Sequence, residues 1–352
     1  MTRMEPLRVG LVGYGGAGRG IHSRLLREAG HRVTAVVTGS RGDQVRQDWP
    51  DALVVPDVDA LLAGADALDL VVVASPTGEH ETHASAALRA GVPVLVDKPL
   101  APGTEAAQRL VDLATSLDGR LTVFHNRRWD PEQLTLRALL DAGALGRVHR
   151  FERRWERFRP EPQHRWKEQD VTAGGLLLDL GAHLVDSATQ LFGPVRRVRA
   201  EIRSLTTPAP DDVFLALDHA PSEPGHHVVS HLWAGGLVGA PGPRTRVLGE
   251  RGAYLVTSFE GEPTPFAAFD DAHDGDRRPG ETPHEGWLVR GAERTPVPRA
   301  PGGHADVYRA VARWLREDGP VPVDPRDAVT TARVLDAARA AATSGDAVHL
   351  DG

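Results

Sequence analysis

Between Leu7 and Phe124 short, almost wholly apolar runs alternate with amphipathic stretches, and this alternation constrains the fold more than any other feature of the 352 residues. Leu7–Val12, Arg32–Val37, Leu68–Ala74, Val92–Val96 and Leu121–Phe124 read as strands, with helical spacing over Gly16–Ala29, Glu79–Ala90 and Thr104–Leu117. Strands apolar on both faces need cover on both sides, which a helix after each strand supplies. Residues 1–125 are therefore read as a doubly wound parallel α/β domain of the Rossmann type.

The pattern changes after residue 126. Pro131–Leu140 has helical spacing, Val148–Phe158 is a charged and aromatic strand, and a polar loop is expected over Arg159–Ala173. Gly174-Gly175 opens a helix that Gly193-Pro194 stops. Val195–Arg203, Val213–Asp218, His227–Trp233, Thr245–Gly249 and Ala253–Ser258 follow with short turns, which indicates a mostly antiparallel sheet. Residues 260–303, rich in Pro, Gly and charge, read as a long loop, and helices over His304–Glu317 and Pro325–Ser344 close the chain. Residues 126–352 are thus expected to form one α+β domain.

Composition removes several classes of chemistry. The chain has no cysteine, which excludes disulfides, thiolate metal sites, cysteine nucleophiles and iron–sulfur clusters. A net charge of −7 supplies no field for nucleic acid or anionic membranes. No apolar run is long enough to span a bilayer, and Met1–Arg8 lacks the apolar core of a signal peptide, so a cytoplasmic protein is expected. Of 41 basic residues only Lys98 and Lys167 are lysines. Such a bias is most simply a nucleotide-composition effect, but it raises the question of what Lys98 could do that arginine could not.

Gly13-Tyr14-Gly15-Gly16-Ala17-Gly18 fits G-x-G-x-x-G, with a strand before it and a helix after it. Gly13 permits the tight turn, Gly15 the approach of a pyrophosphate and Gly18 the helix–strand packing, with phosphates on the helix N-terminus. At the end of the second strand stands Thr38-Gly39-Ser40-Arg41, where NAD-specific proteins carry an acid. Ser40 and Arg41 suit a 2′-phosphate, so NADP is expected over NAD, with Asp43 on the ribose as the alternative. Asp97-Lys98-Pro99 ends another strand at the edge where open α/β sheets bind ligands. A lysine there can give up a proton as arginine cannot, and a surface lysine is the plainer reading.

Asp179, His183, Asp186 and Gln190 recur at helical spacing along one stripe. That stripe is either a solvated face or a site in which Asp179 accepts hydrogen bonds and His183 exchanges protons. His80-x-x-His83 lacks a third metal ligand at motif spacing, so no metal is expected. His226, His227 and His231 read as sheet residues, and the basic run Arg150–Arg159 as a solvated sheet edge.

Together these motifs resemble the Gfo/Idh/MocA family of NAD(P)-dependent oxidoreductases over essentially the whole chain. The likeness rests on the glycine motif with His22, Ser75-Pro76-Thr77 with His80, Asp97-Lys98-Pro99-Leu100, and Gly174-Gly175 with Asp179, Gly181, His183 and Asp186. It implies a Rossmann domain, a C-terminal domain with a large open sheet that forms a homodimer or homotetramer, and an active site between the two. It also implies cofactor contacts from Tyr14, Gly16, Ala17, Ser75, Pro76, Thr77, His80, Asp97, Lys98, Asn126 and Trp166, and catalytic roles for Lys98, Asp179 and His183. The run from Phe124 to Asp130 and the stretch Leu178–Phe192 look most like the NADP-dependent scyllo-inositol dehydrogenases, which implies a cyclic polyol or sugar substrate. A dehydrogenase or reductase of pyranoses or keto sugars, and a non-catalytic NADP-binding regulator, are the alternatives. Two departures stand out: the family's Glu-Lys-Pro is Asp-Lys-Pro here, and 260–303 has no alignable feature.

Overall fold

The strands β1 (Arg8–Val12), β2 (Arg32–Val37), β3 (Leu53–Val55), β4 (Leu70–Val73), β5 (Val94–Asp97) and β6 (Leu121–Phe124) lie parallel in the order β3-β2-β1-β4-β5-β6. They belong to a computed structural model that describes residues 5–221, 225–256 and 284–350. Val9, Leu11, Leu70–Val73 and Val94–Val96 are buried although successive side chains point to opposite faces, as a sheet covered on both sides requires. Val12 is in register with Val37 and Val73, and Asp97 with Phe124, so the strands end along one common edge. The three-residue β3 and the short helices Gly42–Asp48 and Val58–Leu62 are too brief to show a periodicity in sequence. The expected helix after β1 begins as a π-helical turn, Gly18–Ser23, and continues as α-helix over Arg24–Glu28.

The helix Ala305–Arg316 and the segment after it pack with the parallel sheet, so the first unit comprises residues 5–126 and 304–330. Val307, Tyr308 and Val311 find their cover there, with the Tyr308 ring 5.8 Å from Phe124. Thr122 Oγ1 donates to the Val323 carbonyl at 2.9 Å.

Among the described residues the second unit carries nine strands. β7 (Val148–Glu156), β8 (Val195–Arg203), β9 (Asp212–His219), β10 (Val229–Gly235), β11 (Thr245–Gly249), β12 (Gly252–Val256), β13 (His284–Arg290), β14 (Glu293–Pro298) and β15 (Val348–His349) are ordered β14-β13-β12-β11-β7-β10-β9-β8-β15. Only β7 and β10 run parallel among these pairs. The expected loop over 260–303 is therefore wrong from His284 onward, where two strands turn through Gly291 at φ 60°. Its charged and proline-rich β14 hides the strand period, while residues 257–283 lie outside the described residues. Inside the expected loop Arg159–Ala173 a single helical turn forms at Trp166–Gln169, held by Glu168 accepting from the Arg165 and Gln163 amides.

One face of this sheet is apolar. Phe151, Trp155, Leu215, Leu217, Leu232 and Val247 pack with Leu136, Leu184, Val185, Ala188, Val334 and Leu335 from three helices. Where charge enters this layer it is compensated: Glu132 lies 3.2 Å from Arg153 of β7 and 3.1 Å from Arg244 at the start of β11. Burial pushes the Glu132 carboxyl up, but the two guanidinium groups outweigh it and hold the group below the usual carboxylate range. Its stabilisation is thus complete above the ordinary carboxylate range and is lost as the pH falls through its depressed value. Glu132→Gln should cost about 3–5 kcal/mol at neutral pH, because two buried guanidinium groups lose their counter-charge. Denaturant titration checks this, with the wild-type advantage shrinking in acid; equal midpoints at neutral pH would show that the network contributes nothing.

Candidate active site

The five strand ends β1, β2, β4, β5 and β6 of the first unit deliver Gly13–Gly18, Thr38–Arg41, Ser75–Thr77, Asp97–Pro99 and His125–Asn126 to the same sheet edge. The order reverses between β1 and β4, and such a switch point is where open α/β sheets leave a crevice. Gly13 has φ 92°, and a Cβ there would lie 2.7 Å from the Ala74 carbonyl oxygen. A Cβ on Gly18 would sit 2.0 Å from the Gly13 carbonyl oxygen, so that glycine is needed for the turn to fold back on the helix. At Gly15 no atom lies within 4 Å of such a Cβ, which leaves room for a ligand to approach the backbone. The three glycines therefore fit a dinucleotide pyrophosphate, held by backbone N–H groups at the helix start.

Tyr14 and His80, expected to contact the cofactor, turn inward. The Tyr14 hydroxyl donates to Asp48 Oδ2 at 2.8 Å, and burial pushes its phenol up to about 12. His80 is 1% exposed, with its ring nitrogens each 2.9 Å from the Pro99 and Ser75 carbonyl oxygens. It ties the β4 loop to the β5 loop. Ser75 Oγ lies 3.0 Å from His83 Nδ1, and Thr77 is buried, so this loop is held by its own side chains. Ser40 and Arg41 are exposed beyond β2, the guanidinium donating to Gln44 at 3.4 Å. Asp43, the alternative ribose partner, pairs with Arg46 at 2.7 Å.

Lys98 follows directly on β5, before a cis bond to Pro99, and its amide donates to Asp97 Oδ1 at 2.9 Å. Burial pushes the Asp97 carboxyl up, but the facing His22, Lys98 and His80 outweigh it and leave the group below the usual range. Asp97 is accordingly an anion placed under the Lys98 loop.

In the second unit the expected single helix is a π turn, Leu177–Gly181, followed by the α-helix Ala182–Phe192. Asp179 lies in that π turn, a feature frequent at functional sites, and His183 in the first turn of the α-helix. The stripe is no solvated face: His183 and Asp186 are buried, and Asp186 is held by Arg128 at 2.5 and 3.0 Å. Gln190 lies farther along, its carbonyl accepting from Arg137 at 3.0 Å. Asp179 pairs with Lys167, the second of the two lysines, which sequence reasoning left without a role. Gly174 makes the pairing possible, since a Cβ there would lie 2.5 Å from the Lys167 carbonyl oxygen. The adjacent Trp166 is 46% exposed, open to a ligand.

His183 lies against Trp155 with ring centroids 5.7 Å apart. Arg127 and Arg244 sit over the same indole at 4.5 and 4.1 Å. A pocket with room for about one water opens between them. Neither Trp155 nor these arginines was a sequence candidate; the only signal was the aromatic residue interleaved in Arg150–Arg159. His231 lies tilted against Phe214 and edge-on to Trp233 on the sheet, and His226 Nε2 lies 2.7 Å from the Val148 carbonyl oxygen. Among the described residues no group of three His, Asp or Glu could hold a metal.

The glycine geometry separates binding from folding. Gly15→Ala should leave thermal stability unchanged and weaken dinucleotide binding at least about tenfold, since its methyl meets only the ligand. Gly18→Ala should lower both. Thermal unfolding and fluorescence titration with NADPH check the pair, and equal losses in the two variants would remove Gly15 from the cradle.

Residues 7–125 match the oxidoreductase family's NAD-binding Rossmann fold, and residues 137–350 match that family's C-terminal alpha/beta domain. The chain is 29% identical to the scyllo-inositol 2-dehydrogenase (NADP(+)) IolW of Bacillus subtilis (strain 168), over 96% of this chain and 94% of that protein. It is 34% identical to the uncharacterized oxidoreductase YdgJ of Escherichia coli (strain K12), over 94% and 95% of the two. The solved structure of Bacillus subtilis yvaA superposes with a TM-score of 0.86 at 29% identity, covering all of both chains. With the glycine cradle at the switch point and both halves matched, the chain belongs to the Gfo/Idh/MocA family of oxidoreductases.

Proposed function

We propose that the protein transfers hydride between NADP and the carbinol carbon of a cyclic polyol or sugar. The observation that carries this reading is Lys98, a lone strand-end lysine on the same sheet edge as the glycine cradle. The likeness to a relative named as an NADP-dependent scyllo-inositol dehydrogenase supports the substrate class. The bound cofactor supplies the nicotinamide C4 that takes or gives the hydride. His183 takes the hydroxyl proton in oxidation and returns it in reduction. Lys98 hydrogen-bonds the same oxygen and stabilises negative charge as it develops. Asp179, paired with Lys167, accepts from substrate hydroxyls or orients His183. Trp166 is suited to cover the nicotinamide, Asn126 to line its side of the edge, and Arg41 with Ser40 to hold the 2′-phosphate. Self-association is assigned to the outer face of the large sheet, where Phe214, His231 and Trp233 form an aromatic cluster.

A panel of inositols, pyranoses and keto sugars scored by NADPH absorbance tests the reading. Turnover of a cyclic polyol or sugar is expected, and tight NADPH binding without any turnover would favour a regulatory protein instead. Lys98→Arg should reduce kcat by about 10²-fold or more while NADPH still binds; near-normal turnover removes Lys98 from the chemistry. Arg41→Ala should weaken NADPH about 10-fold or more relative to NADH, the loss of a charge-assisted contact. An unchanged preference would assign the phosphate elsewhere. His183→Ala should reduce kcat by about 10²-fold or more with NADPH binding retained, and near-normal turnover would point to another base.

A further inference from the structure

Below the Lys98 loop the first unit buries a polar chain drawn from three distant parts of the sequence. His22, on the π turn after the glycine motif, is fully buried, its ring 4.3 Å from Phe124 of β6. Its Nδ1 lies 2.6 Å from the hydroxyl of Tyr308, which the helix Ala305–Arg316 returns to this unit. Among the described residues the Nε2 of His22 makes no hydrogen bond within 3.5 Å; it faces Asp97 Oδ1 at 3.6 Å, close enough to favour the carboxylate. A phenol that donates to Nδ1 leaves the ring proton on Nε2, so the free N–H is aimed at the carboxylate. If the ring is instead cationic, Nε2 still carries a proton. Either way the imidazole presents a fixed positive dipole or charge to Asp97 from a fully buried position. Asp97 in turn accepts the Lys98 amide.

We infer that Tyr308 and His22 are positioning residues for Lys98: they hold Asp97 as a carboxylate in one orientation, and Asp97 fixes the backbone from which the Lys98 side chain projects. The inference rests on the role given to Lys98 above. The groups facing Asp97 are His22 from the helix after β1, His80 from the helix after β4, Lys98 on its own strand end, and Tyr308 from the returning helix. Of these, burial pushes the Tyr308 phenol well above its ordinary value, so it stays a neutral hydroxyl. Without the Tyr308 hydroxyl the imidazole is free to change tautomer and turn its lone pair toward Asp97. Burial then works against the carboxylate unopposed on that side.

The scarcity of lysine makes the test direct. Protein labelled with 15N-lysine shows two backbone amide signals, of which Lys98→Arg removes one. That amide is hydrogen-bonded to Asp97, so its shift against pH carries an inflection when Asp97 takes up a proton. In the native protein the inflection should lie below the ordinary carboxylate range, and Asp97→Asn should abolish it. Tyr308→Phe should move it up by about one pH unit, because the imidazole N–H is no longer held toward the carboxylate. The same variant should lower kcat about tenfold, with NADPH affinity within twofold of native. An inflection that stays in place overturns the proposal whatever happens to turnover. A shifted inflection with unchanged kcat overturns the link from Asp97 to Lys98. Should Tyr308→Phe not fold, His22→Asn is read in the same way. Because the amide titration needs no substrate, its result stands apart from the outcome of the polyol panel.

Discussion

Parallel strands buried on both faces leave chemistry one place to go. Every residue inside the sheet of the first unit must be apolar or fully bonded, and the strands end in register, so polar side chains accumulate where the strands stop. Gly13, Arg41, Ser75, Lys98 and Asn126 come from five separate sequence regions yet share one edge for that reason. The same constraint explains the inward strut of His80: two loops that must stand side by side need a buried partner able to bond both backbones.

The second unit solves a different problem. Its large sheet packs one face on helices, and charged residues enter that layer only with compensation, as when Glu132 meets Arg153 and Arg244, or Asp186 meets Arg128. Such pairs are costly to bury and costlier to break, so they fix geometry more than they add net stability. His183 sits beside this network and borrows its rigidity through Trp155. The two lysines mark the two units: Lys98 follows a strand end, and Lys167 meets Asp179 through a turn that only Gly174 allows. A compact ammonium on a flexible stem fits a single oxygen where a planar guanidinium would claim two.

Legibility followed the range of the interactions. Every strand of the first unit except the three-residue β3 is readable because burial on both faces writes a continuous apolar run, and the glycine motif because a turn and a helix start are local. Lys98 was readable from its place after such a run. The helix carrying Asp179 and His183 was visible, but not its π turn, which spacing cannot distinguish from a regular helix. The hairpin from His284 was hidden by prolines and charges in β14, an edge strand whose exposure removes the apolar alternation. The return of Tyr308 to the first unit could not be read at all, because 286 residues separate it from His22.

By itself the sequence determined the parallel α/β half, the cradle of Gly13, Gly15 and Gly18, and the strand-end position of Lys98, since each depends on neighbours within a few residues. Only the tertiary structure decided that Tyr14 and His80 face inward, that Lys167 pairs with Asp179, and that Tyr308 and His22 lie under Asp97. A buried polar atom must find a partner, and which partner it finds depends on the chain segments that packing brings within about 3 Å, not on spacing along the chain.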